Sequence, residues 1–283
     1  MNIPIMLAST GRNFWDWVVY LLHVGGHDLL RGAGITLLLA LTGTVIGCII
    51  GFLVGVVQTI PIEPQDLLIK KILLKIVRWL LSAYVEVFRG TPMIVQAVVI
   101  YYGSMQMLGI DMSAMLAGFV VVSINTGAYM SESVRGGIYS IDKGQTEAAK
   151  AIGMTHFQTM FSIILPQALR NILPQIGNNL IINIKDTSVL SIISVTELFF
   201  TSKTLAGTYY TYYQVYLITC VMYFIMTFTC SRILRWYEKK LDGPDSFNLT
   251  SAGNAEKKGN NMRKGLSMQL FSRQPTGARS AMR

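Results

Sequence analysis

Charge is scarce in this chain. Only 14% of its 283 residues are Asp, Glu, Lys or Arg, while 52% are hydrophobic, and mean hydropathy is +0.45. That balance excludes an ordinary soluble domain. Cysteine is also scarce: Cys48, Cys220 and Cys230 lie in apolar stretches, lack metal-ligand spacing and are too few for a disulfide framework, so they read as small packing residues. There is no aromatic-studded basic patch, so the net charge of +9 points to membrane orientation and not to nucleic acid. No G-x-x-x-x-G-K-[ST] phosphate loop occurs, so the chain is expected to hydrolyse no ATP and not to be an enzyme. Met1 to Thr10 lacks a basic region followed by an apolar run. No cleavable signal is expected, and targeting falls to the spans.

What is present is a set of long apolar stretches. A hydrocarbon core about 30 Å thick takes about 20 apolar helical residues. Spans are expected at about 35–57, 90–110, 112–131, 172–195 and 214–234, within a transmembrane domain of 32–242. Residues 1–31 form an external segment, where Phe14, Trp15, Trp17 and Tyr20 suggest a helix lying at the membrane surface. His23 and His27 sit four apart beside Asp28, but Gly25-Gly26 undermines the helix a metal pair would need, and no metal site is expected. Gly43, Gly47, Gly51 and Gly55 recur every four residues in the first span, either for close helix packing or as glycines that a membrane helix simply tolerates.

Loop charges orient the chain. Lys70, Lys71, Lys75, Arg78 and Arg89 follow the first span, Arg135, Lys143, Lys150 and Arg170 follow the third, and Arg232, Arg235, Lys239 and Lys240 end the fifth. The opposite side holds Arg12, Arg31 and Lys203. By the positive-inside rule the N-terminus is outside and the C-terminus inside. The tail 243–283, with seven Lys or Arg against Asp245 and Glu256, reads as disordered, solvated or drawn to anionic lipid.

The loop 132–170 therefore faces the cytoplasm, and its sequence is helical. Asp142 with Gln145 fits a cap, Glu147-Ala148-Ala149 continues with strong helix formers, and Gly153 suits a left-handed helix end. Thr155 with Gln158 starts a second short helix, and Pro166 and Pro174 bracket the return to the membrane. The loop is either a solvated connector or a handle for a partner, with Phe157 and Met160 as apolar anchors.

In the fourth span, Lys185 and Asp186 break an apolar run. If Asn179 to Glu197 stays helical, Asn179, Asn183, Asp186 and Glu197 share a face, with the acceptors and amide donors a zwitterion needs. Lys185, Asp186 and Thr187 alternatively form a structural ion-pair and hydrogen-bond network with other helices. Glu86 and Glu132, with Arg89 and Arg135 nearby in sequence, are expected to organise the cytoplasmic face.

Several blocks carry a family resemblance: Tyr84-Val85-Glu86-Val87-Phe88-Arg89-Gly90-Thr91-Pro92 with Gln96, Gly127-Ala128-Tyr129, Glu132-x-x-Arg135-Gly136-Gly137-Ile138, Glu147-Ala148-Ala149-x3-Gly153-x9-Ile163-x-Leu165-Pro166, and Lys185-Asp186-Thr187-Ser188. Over about Leu29 to Leu241 the chain resembles the permease subunits of bacterial ABC importers, and more closely the polar amino acid branch (histidine, glutamine, arginine, opine). The resemblance implies an all-α integral membrane protein with the five-helix core of the type I importer permease fold. It implies a coupling loop in which Glu147, Ala148, Ala149, Gly153, Phe157, Met160, Leu165 and Pro166 meet a separate cytoplasmic ATPase. It further implies a second permease subunit, an external amino-acid-binding protein and a bacterial inner-membrane location. No cofactor is expected on this chain, since ATP would be used by the partner. The alternative is an ion-coupled secondary transporter or channel. The helical loop and the lack of a visible inverted repeat weigh against it.

Overall fold

The computed structural model describes residues 13–242, which are helical with short connections and contain no strand. The first helix, Phe14–Thr59 (α1), runs unbroken for 46 residues, about 69 Å and roughly twice the hydrocarbon thickness. Among the described residues no separate surface helix precedes the first span, and Phe14 to Tyr20 form the opening turns of α1 itself. Trp17, Leu21, Gly25, Leu29, Gly32 and Thr36 form one buried stripe along α1, and that burial carries the helix through Gly25-Gly26. At Gly25 the missing side chain is filled by a neighbour, since a Cβ there would lie 2.7 Å from Leu205 Cδ2.

Leu68–Gly90 (α2) is a helix where charge alone marks a loop. It breaks at Thr91-Pro92, and Met93–Leu108 (α3) follows as a 16-residue apolar helix, shorter than the 90–110 span expected. Ala114–Tyr139 (α4) contains the third expected span. The loop beyond it holds Lys143–Ala151 (α5) and His156–Thr159 (α6). A π-helical turn over Met160–Ile164 leads without interruption into Leu165–Asp186 (α7). Pro166 lies in the first turn of α7, where its missing N–H costs least, and the wider π turn precedes it. Pro174 does not end the helix. α7 continues through it and tightens to a 3-10 helix over Thr187–Ile193. Leu198–Tyr209 (α8) and Tyr212–Asp242 (α9) complete the described chain.

By length and composition, α1, α4 and α9 are each able to cross a membrane. The segments His156–Ile193 and Leu198–Tyr209, bent by 55°, pass the same criteria as one broken span. The chain falls into two compact units, Met1–Arg235 and Trp236–Arg283, and the last residues of α9 belong to the second. The tail expectation lies outside the described residues.

The α1 glycines pack α1 onto α4. A Cβ at Gly43 would meet Val122 at 2.3 Å, at Gly47 Thr126 at 2.5 Å, at Gly51 Met130 at 2.4 Å, and at Gly55 Val134 at 2.8 Å. Contacts advance four residues on both helices, so they run parallel with their backbones close. Gly51 also faces the Met130 carbonyl carbon and the Ser131 nitrogen at 2.8 Å, which cannot rotate away. Gly51→Val is therefore expected to cost at least about 1–3 kcal/mol of packing and to cut membrane accumulation several-fold. Wild-type abundance on an immunoblot of membranes would contradict this.

Candidate functional site

The loop between α4 and α7 is fixed by local chemistry. The Asp142 carboxylate accepts from Gly144 N at 2.6 Å and caps α5. At the other end Gly153 has φ +81°, Gly153 N donates to Lys150 O at 3.0 Å and Met154 N to Ala149 O at 3.0 Å. This is a complete Schellman pair, and its left-handed residue favours glycine. Thr155 then forms a full capping box with Gln158, N–H to Oε1 at 2.9 Å and Oγ1 accepting from Gln158 N at 3.3 Å.

The loop's side chains divide between inside and outside. Ala149, Met160 and Leu165 are buried, and the last two pack with Met130, Val134, Ile138 and Ile172. Met160 is thus part of this chain's own core and offers no anchor to a partner; the π turn rotates it inward. Phe157 is 67% exposed and packs its ring, tilted by 35°, 4.3 Å from that of Phe161, which is also exposed, and Ile152 is 78% exposed. Glu147, Ala148, Gly153 and Pro166 are exposed as well. Ile152 and Phe161 extend the outward apolar surface beyond the residues singled out from sequence. Ile152, at the C-cap of α5, is readable as such once Gly153 is recognised as the helix end.

Behind the loop, Lys150 Nζ lies 3.7 Å from Glu63 in the α1–α2 connection, and a cavity of about 420 Å³ separates the two segments. At its rim Lys70 Nζ donates to the Asp66 carboxylate at 2.5 Å and holds that carboxyl below its usual range. Deeper in, Glu132 takes Arg135 at 2.8 Å and Arg89 at 3.6 Å, and the Arg89 guanidinium stands 5.6 Å from the centre of the Tyr129 ring. Glu86 is exposed on α2 and makes no ion pair among the described residues. Lys185 is likewise exposed, and neither it nor Asp186 makes an ion pair among the described residues.

A second cavity, about 320 Å³, opens where the α2–α3 break meets α4 and α7. α7 contributes Asn179, Asn183 and Asp186, which do share a wall. Asn183 Nδ2 donates to Thr44 Oγ1 at 2.8 Å and to Thr126 Oγ1 at 2.9 Å, tying α7 to α1 and α4. Asn179 Nδ2 donates to Gln175 O at 3.0 Å and approaches Met130 Sδ at 3.2 Å. The amide donors are thus committed to structure, while the exposed Asp186 carboxylate and the oxygen of Asn179 remain for a ligand.

The opposite wall was not anticipated. Thr91, Asn125, Thr126 and Tyr129 line it, and a buried knot holds the break open. Gln96 Nε2 donates to Phe88 O and Thr91 O, each at 2.9 Å, and Gln96 Oε1 accepts from Asn125 Nδ2 at 2.9 Å. Asn125-Thr126, an uncharged polar pair inside an apolar span, is the sequence signal for this wall.

Glu197 does not line the cavity. The chain leaves the helix at Ser194, φ 63°, so the shared face ends before Glu197. Instead Glu197 is fully buried as the N-cap of α8, accepting from Phe200 N at 2.7 Å, Phe199 N at 2.8 Å and Tyr223 OH at 3.0 Å, with Thr36 Oγ1 at 3.4 Å. One carboxylate joins α1, α8 and α9.

A helical membrane protein with a polar cavity at helix breaks and an outward-facing helical loop has the build of a transporter's membrane subunit. The chain matches the family described as binding-protein-dependent transport system inner membrane component over residues 71–243, and it belongs to that family. It is 31% identical over 217 residues to an arginine transport system permease protein of Bacillus subtilis, covering 77% of this chain and 94% of the relative. It is 34% identical over 218 residues to the glutamine transport system permease protein of Escherichia coli K12, covering 75% and 92%. Among solved structures, an amino acid ABC transporter crystallised with histidines superposes with a TM-score of 0.70 at 33% identity, covering 82% of this chain and all of that one. A methionine ABC transporter, at 21% identity and a TM-score of 0.55, shares the fold. The fold is that of type I ABC importer permeases, and these relatives are transport components, not enzymes.

Proposed function

We propose that this chain is the permease subunit of an ATP-driven importer for a polar amino acid in a bacterial inner membrane. Its N-terminus lies outside and its C-terminus inside. It works with a second permease subunit, two cytoplasmic ATPase subunits and an external binding protein. The observation that carries this reading is the loop around Gly153: two capped helices presenting Ala148, Ile152 and Phe157 outward, on a chain of the binding-protein-dependent permease family. An ion-coupled carrier has no use for such a handle. ATP-driven closure of the partner would move the loop as a rigid piece and re-aim the cavity between the two sides. The chain itself binds no cofactor, and ATP is consumed by the partner.

Within the cavity, the Asp186 carboxylate matches the ammonium of a zwitterion, and Asn179 and Tyr129 offer hydrogen bonds to its polar groups. The test is reconstitution with the ATPase and binding protein, followed by uptake of an amino acid panel. Uptake should require ATP, and ATP-independent transport by the isolated subunit would overturn the reading. Asp186→Ala should abolish uptake while the assembled complex still accumulates. Failure to accumulate would make Asp186 a structural residue instead.

A further inference from the structure

We propose that Leu67–Leu80, the linker end and first half of α2, is an interfacial helix that docks on anionic phospholipid headgroups. At 100° per residue, Leu68, Ile69, Ile72, Leu73, Ile76, Trp79 and Leu80 fall within an arc of about 140°. All seven are at least 50% exposed, so this chain leaves the arc uncovered. Lys71, Lys75 and Arg78 lie beside it within about 60° of arc, next to Trp79. A basic flank against an apolar face with tryptophan at the border is the pattern of a helix lying in the plane of an anionic surface.

Three further observations place it there. α2 is not among the helices apolar enough to span a membrane. Its start is tied to the coupling-loop side through the Glu63–Lys150 pair, whereas its end reaches the middle of α4, with Tyr84 OH donating to Ile124 O at 2.7 Å. The helix thus runs from the surface obliquely inward, and all four of its N-terminal cations stay at the shallow end. Lys70 is held by Asp66 and Lys71 Nζ donates to Pro64 O at 2.7 Å, but Lys75 makes no ion pair and the buried Arg78 Nε finds no acceptor among the described residues. A second copy of this chain seated symmetrically on the same face would bring the two basic rows together, which disfavours that occupant. That the leaflet is the cytoplasmic one rests on the coupling loop facing the cytoplasm.

The test uses the full chain in bilayers of equal parts phosphatidylcholine and phosphatidylglycerol, with bromine on one lipid at a time, either near the headgroup or at the chain end. The readout is the part of the tryptophan quenching that Trp79→Phe removes. It reads depth and headgroup on either side of the membrane, so it is independent of the orientation assignment. Shallow bromine should quench more than deep, and brominated phosphatidylglycerol roughly threefold more than brominated phosphatidylcholine. The excess should vanish at high salt and in Lys75→Gln/Arg78→Gln. Strongest quenching from chain-end bromine would mean that α2 spans, and no quenching would mean that protein covers the face. Equal quenching by the two lipids, or an excess that survives salt, would remove the anionic preference. Any of these overturns the proposal.

Discussion

Replacing Gly153 with valine is expected to lower uptake by roughly tenfold or more, through about 1–2 kcal/mol or more of left-handed strain, while the membrane helices remain folded. Gly153 sits at φ +81° with open space around it, so no neighbour would clash and only the backbone objects. The hydrogen bonds from Gly153 N to Lys150 O and from Met154 N to Ala149 O close α5 and set the angle at which Thr155 opens α6. A β-branched residue there must either distort that angle or release the Schellman pair, and Ile152 and Phe157 then lose their fixed separation. ATP hydrolysis by the reconstituted complex should continue without uptake, or the ATPase should fail to co-purify. Asparagine tolerates the left-handed region, so Gly153→Asn should retain most of the uptake. Normal uptake per ATP in the valine variant would refute the assignment of this loop as the coupling element.

Glu197→Ala should be the most damaging single change for stability, at about 3–5 kcal/mol, because it strips the partner from several buried donors at once. The Phe199 and Phe200 amides, the Tyr223 hydroxyl and the Thr36 hydroxyl all converge on this one carboxylate. With it gone, the start of α8 is uncapped and the seam among α1, α8 and α9 opens. Glu197→Gln keeps an acceptor oxygen but turns an amide nitrogen toward donors, so it should fall between wild type and alanine. Thermal unfolding in detergent and accumulation in membranes give the ranking. An alanine variant as stable as wild type would show that the carboxylate is dispensable and that another group anchors α8.

What the sequence made legible was mostly local. The caps at Asp142, Gly153 and Thr155 are chemistry within a few residues, and they form two short helices around Gly153 as the spacing implies, although Asp142 caps through Gly144 N and not with Gln145. Tertiary effects decided the rest. α1 continues through Gly25-Gly26 because a buried stripe holds it, and no local rule reports that stripe. Lys70 to Arg89 marks a loop when only charge is counted, yet the apolar period from Ile69 to Leu80 was available to show a helix. Glu197 lies on the Asn179 face only if the helix is assumed continuous, and the left-handed turn at Ser194 voids that assumption. Met160 faces inward because of a π turn, which periodicity at 3.6 residues does not capture.

The glycine contacts between α1 and α4 carry a mechanical consequence. With backbones pressed together at four successive levels, the pair cannot slide without collision and cannot splay without losing all four contacts, so it acts as one stiff beam. Compliance is left to the seams that lack such contacts: the Thr91-Pro92 break and the Ser194 turn. A push delivered at the foot of the beam would arrive undiminished at its head, and the two breaks are where the structure would yield.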